Sequence, residues 1–127
     1  MQLFRFQIEG FLHWGFNFWF NRLSQKLINP FVCTDAEDAF PSGDAFLVYP
    51  GPDGHPLASI HQMVFADGLQ DLRALQLLSS LSDFKETAAF IDEFFGSDFN
   101  FSNYPHDAQL LLSVREAVNR KIETLLA

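Results

Sequence analysis

Apolar residues alternate with others over residues 11–20, where Leu12, Trp14, Phe16, Phe18 and Phe20 fall on one side of an extended chain and His13, Gly15 and Asn17 on the other. A period of two predicts a strand. Phe11 and Trp19 share the second side, so both faces are expected to be covered, as in a parallel sheet or barrel flanked by helices. Residues 21–42 read as a long connection with a short helical turn at 22–27, an acidic patch of Asp35, Glu37 and Asp38, and Pro41-Ser42-Gly43 at its end. Connections of this length inside compact domains often carry function. The apolar run at 45–49 (AFLVY) is closed by Pro50-Gly51-Pro52-Asp53-Gly54 and predicts a second short strand ended by a turn.

Beyond residue 58 the period becomes helical. Ser59, with Gln62 three residues on, forms a capping box that opens a helix to about Leu81. Its apolar positions are Ile60, Met63, Val64, Leu72, Leu75 and Leu78, with Gln62, Gln70, Arg73 and Ser80 opposite. Gly68 interrupts it at a cost of about 1 kcal/mol relative to Ala, which a close backbone approach by a packed neighbour would explain. Asp83 and Glu86 form a second box, opening a helix that ends near Phe95 with Gly96 as its C-cap. After a loop at 97–104, Pro105 suits the first turn of a last helix, in which Leu111, Val114, Val118, Ile122 and Leu125 recur at helical spacing.

The expected fold class is therefore α/β or α+β: one buried strand, a long loop, a short second strand, then three helices. Residues 1–58 carry the strands and loop and 59–127 the helices of a single unit. Two short strands make no independent sheet of much stability, so further strands are expected from a homo-oligomer partner, from the remainder of a parent protein, or from segments of this chain that carry no clear strand pattern. A chain of 127 residues with 48% hydrophobic and 19% charged residues is a folded domain and not a disordered tail. Sixteen Phe, two Trp and two Tyr are a heavy aromatic load, and a domain of this size buries only about two-thirds of its unfolded surface. Some rings are thus expected to face a partner.

A net charge of −8 with scattered basic residues disfavours nucleic acid, which needs clustered Lys and Arg. The longest apolar stretch is too short to span a bilayer, and residues 1–10 lack the features of a signal peptide, so no membrane partner and a cytoplasmic location are expected. The lone Cys33 fits a reducing compartment. His13, His55, His61 and His106 show no ligand spacing, the acidic trio lacks the ligand order of a calcium loop, and Gly51–Gly54 is turn chemistry and not a phosphate cradle. No metal or cofactor is expected.

Three segments carry a resemblance. Glu9-Gly10-Phe11-Leu12-His13-Trp14, then Ser42 through Gly51 (SGDAFLVYPG), then Ser59-Ile60 followed by Asp67-Gly68-Leu69-Gln70-Asp71 resemble, in that order, the C-terminal part of the glycoside hydrolase family 123 catalytic-domain-like proteins, a group also catalogued as a bacterial domain of unknown function. The likeness covers about residues 1–82. It implies a C-terminal fragment of a (β/α) barrel, with residues 11–20 as its last strand and the helix from Ser59 closing it, and a catalytic face at the C-terminal strand ends.

By that resemblance Trp14, Asp44 and Tyr49 lie near a sugar site, and carbohydrate is the ligand of the parent domain. Periodicity alone favours plain core packing for Trp14; Tyr49 has the same two readings, and Asp44 is either a turn residue or an acceptor for sugar hydroxyls. Cleavage in the family resembles substrate-assisted hydrolysis of N-acetylhexosaminides, with an Asp-Glu pair that by the resemblance belongs to an earlier strand. The adjacent pair found here, Asp92-Glu93, falls within a predicted helix, so no catalytic residue is expected and the chain is expected not to be catalytic alone. His61 and Ala66 stand where the family has Arg, and Leu72 where it has Tyr. The competing expectation is a non-enzymatic helical interaction module that dimerises through its Phe-rich strand.

Overall fold

The caps that mark the helical half of the sequence are built as read. The computed structural model describes all residues, Met1–Ala127, with helices α1 (Gln2–Arg5), α2 (Ile60–Leu81), α3 (Phe84–Phe95) and α4 (Ala108–Leu126) and strands β1 (Val48–Pro50) and β2 (Pro56–Ala58). Ser59 Oγ accepts the Gln62 amide at 3.1 Å, and Asp83 Oδ1 accepts the Glu86 amide at 2.8 Å. Each satisfies one of the donors a helix start leaves unpaired. Gly96 ends α3 at φ +86°, its amide donating to Asp92 O. The last helix begins later than expected, because Asp107 Oδ1 takes the amides of Gln109 and Leu110 at 2.8 and 3.3 Å. Asp107 is thus the cap, and Pro105 stays outside the first turn.

The chain divides into two compact units, Met1–Gly10 with Gly68–Ala127 and the intervening Phe11–Asp67. In the first unit, Leu75 and Leu78 from α2, Ile91 from α3, and Val114, Val118 and Ile122 from α4 form one buried cluster with Phe99 and with Phe4 of α1. The short α1 was not foreseen. Phe4 anchors it in that cluster, and Arg5 holds both carboxylate oxygens of Asp92 at 2.8 and 2.9 Å. A second fork-to-fork pair joins Arg115 to the buried Asp71 at 2.6 and 2.9 Å. Such bidentate geometry fixes orientation as well as adding energy. The packed neighbour expected at Gly68 is absent: a Cβ built there meets nothing within 4 Å.

The second unit corrects the strand expectation. Residues 11–20 form no strand, only isolated bridges pairing Asn17 with Phe46 and Phe20 with Leu27. The ladder breaks because the Trp19 amide turns back onto Asn17 O at 3.0 Å. Asn21 then reverses the chain, its side-chain oxygen accepting the Gln25 and Lys26 amides, where a helical turn was expected. The sheet is a two-stranded antiparallel hairpin with Val48 opposite Ala58, Tyr49 opposite Leu57 and Pro50 opposite Pro56. The fold is mixed α and β, and the parallel pairing of a barrel is not what these strands make. Pro56-Leu57-Ala58 escaped the sequence reading because it is exposed along its length and carries no alternation.

Ala45, Phe46, Leu47 and Val48 supply the buried centre of this unit. The apolar positions at the start of α2 are not a buried face: Ile60, Met63 and Val64 stand exposed. No helix is long and apolar enough to cross a membrane.

Candidate functional site

The segment Gly43–Ala45 is fixed by backbone bonds before any side chain is considered. The Gly43 amide donates to Thr34 O at 2.7 Å, the Asp44 amide to Pro41 O at 3.0 Å, and Ala45 O accepts the Phe18 amide at 3.1 Å. Gly15 lies flat against the same turn, where an added Cβ would meet Ala45 O at 2.5 Å, so only glycine fits. Ser59 Oγ donates to Leu47 O at 2.7 Å, and His61 Nδ1 sits 3.1 Å from Gly43 O. The carbonyl can only accept, so the His61 proton is on Nδ1. The segments around Trp14, Asp44 and Ser59 therefore fold as one piece, and His61 contributes a hydrogen bond to it.

Trp14 and Asp44 meet on this frame. The indole N–H donates to Asp44 Oδ2 at 3.1 Å, and the ring rests on Phe40 and Phe18 with centroids 4.8 and 5.5 Å away. Trp14 is nevertheless 48% exposed, which overturns the buried-strand expectation for it. His13 joins the pair: its Nδ1 accepts the Gly15 amide at 3.2 Å, which leaves the proton of the neutral ring on Nε2, 3.9 Å from Asp44 Oδ1. The result is an open indole beside a carboxylate held by one donor and approached by a second.

Tyr49 is not part of that group. It stacks on Phe31 at 4.9 Å and meets Phe46 edge-on at 5.1 Å, a separate aromatic cluster on β1. His13, His61 and Phe40 were missed as members of the site. The spacing of the histidines carries no sign of these contacts, and the contact of Phe40 with Trp14 spans a connection that has no periodic signal.

The acidic loop is ordered. Cys33 Sγ accepts the Glu37 amide at 3.3 Å and lies 3.5 Å from Asp35 Oδ1, while Ala36, Glu37 and Asp38 run consecutively through positive φ. The Asp38 amide, and after it the Cys33 thiol, hold the Asp35 carboxyl below its ordinary value. Lys26 pairs with Glu37 at 2.6 Å. Asp92, of the adjacent Asp92-Glu93, is engaged by Arg5.

These features lie in a chain whose residues 1–78 match the family model of the glycoside hydrolase 123 catalytic domain. The match covers more than half of the chain and includes the whole Trp14–Asp44 arrangement; the chain belongs to this family of glycoside hydrolases. No curated protein matches it.

Proposed function

We propose that this chain supplies a sugar-contacting wall of a family 123 domain acting on N-acetylhexosaminides, and that the acid–base pair of the reaction is not among its residues. The single observation that carries this reading is the exposed indole of Trp14 held against Asp44. A flat aromatic face takes the C–H face of a pyranose, and the adjacent carboxylate accepts its hydroxyl protons. Family membership supports carbohydrate as the ligand. Tyr49 would act only as a support, since it lies in its own aromatic cluster. Engagement of Asp92 by Arg5 supports the view that Asp92-Glu93 is a structural pair.

Calorimetric titration with N-acetylgalactosamine tests the binding. Saturable heat is expected for the natural sequence, at least tenfold weaker binding for Trp14→Ala, and an intermediate loss for Asp44→Ala. Equal affinity in all three would sink the assignment. Turnover of an aryl N-acetylgalactosaminide by this chain alone would overturn the claim about the acid–base pair.

A second element of the reading rests on Leu12, Phe16 and Phe31, exposed by 85%, 52% and 59%. We infer that this apolar surface packs on other strands of the parent domain or on a second copy of the chain. Light scattering that finds only monomer at high concentration would exclude the second copy.

A further inference from the structure

We propose that the unit formed by Met1–Gly10 and Gly68–Ala127 holds a second site, unrelated to the Trp14–Asp44 pair, for a small uncharged ring-bearing organic molecule. A cavity of about 410 Å³ opens in this unit, within the range of small-molecule pockets. Its walls include Phe95 and Phe99, which stack on one another at 4.8 Å, with Leu111 of α4 and the Tyr104 and His106 rings, 4.7 Å apart. One further wall is the backbone of Gly68 in α2.

Gly68 makes the cavity more than a packing gap. Glycine in the interior of a 22-residue helix weakens the helix, and the compensation expected from sequence, a neighbour packed against the backbone, does not exist, because a Cβ there would enter open space. A side chain much larger than alanine at this position would project into the cavity. The walls also define the ligand. No Lys or Arg side chain lines the cavity, and of its acids Asp71 gives both oxygens to Arg115 while Asp107 Oδ1 caps α4. The Met1 amino group at the cavity faces the charge of Asp71, and stacked phenyl rings favour a flat apolar body. The Tyr104 hydroxyl and the His106 ring nitrogens make no hydrogen bond within the protein, so a hydroxyl on the ligand would find partners at the rim.

The test uses 2-naphthol, an uncharged fused ring with one hydroxyl, against the whole chain, followed by amide chemical shifts in ¹⁵N NMR. Saturable shifts at Gly68, Phe99 and Ala108 are expected, with a Kd of about 1 mM or tighter. Gly68→Leu, which fills the cavity from α2 with a better helix former, is expected to weaken binding at least tenfold while melting no lower than the natural chain. Leu111→Trp, from the half-exposed face of α4, fills it from the opposite element and serves if Gly68→Leu does not fold. Gly68→Ala should retain binding. Shifts that do not saturate, or undiminished binding in the folded filled variant, would overturn the proposal.

Discussion

Arg115→Met isolates a buried carboxylate and so measures what the Asp71 pair is for. Asp71 has an 8% exposed side chain and receives two guanidinium hydrogen bonds at 2.6 and 2.9 Å; Arg115 is 34% exposed. Removing one partner of a fully buried pair costs about 3–5 kcal/mol, because the remaining charge has lost its solvation and its counter-ion. Water already reaches a third of Arg115, so we take about 2–3 kcal/mol for the single substitution. Replacing both, as Asp71→Leu with Arg115→Met, removes the charge that was penalised and is expected to fall within about 1 kcal/mol of the natural chain. The single variant is then expected to be less stable than the double by about 2 kcal/mol. Urea unfolding followed by far-ultraviolet circular dichroism reports the helices of this unit, whereas both tryptophans, Trp14 and Trp19, lie in the other. A single variant within about 0.5 kcal/mol of the natural chain, or a double variant as damaged as the single, would refute the reasoning.

Gly15→Ala should destabilise the second unit by about 1–3 kcal/mol, the range for forcing atoms into a filled space, since its Cβ would stand 2.5 Å from Ala45 O; tryptophan fluorescence on denaturation reads the loss. Asp83→Ala removes the α3 cap and is expected to lower the circular-dichroism unfolding free energy by about 1 kcal/mol. Asp35 gives a pH signature: its folded pKa lies below the ordinary value because the Asp38 amide and the Cys33 thiol favour the ionised form. Its contribution is complete above the unfolded value of about 3.9 and is lost as pH falls through the lower folded value. Amide shifts of Glu37 and Asp38 should report that acid step, and Asp35→Asn should abolish it.

Signals carried by neighbouring residues were the legible ones. Ser59, Asp83 and Gly96 announce helix ends because a cap is a local bond between residues up to four apart, and all three stand at the ends read from them. Of the helical stripes, Leu75, Leu78, Val114, Val118 and Ile122 are in the core as read, while Leu111 and Leu125 of the last helix are exposed. What escaped depends on distant chain. Phe4 turns residues 2–5 into a helix only because a cluster built from α2, α3 and α4 receives it. Phe40 reaches Trp14 across 26 residues of connection, and Arg115 finds Asp71 across 44. The Trp14–Asp44 contact lay half in view: the two motifs that hold these residues were recognisable, while the bond joining them depends on how Gly15 seats on Ala45.

The failed strand teaches the most about the site. Alternation over residues 11–20 is real, but burial does not follow it. Gly15 is the buried residue pressed on Ala45, while Phe11 on its own side and Leu12, Trp14, Phe16 and Phe20 on the other are exposed and Phe18 is half-buried. A period of two tells which residues share a side and is silent on which side packs. Here the decision falls to close backbone approach at Gly15, which a residue with a Cβ could not make. Exposed rings in such number exceed the scattered apolar residues of an ordinary surface, and the indole among them is the one tied to a carboxylate. Trp14 is thereby left turned outward, as the proposed sugar contact requires.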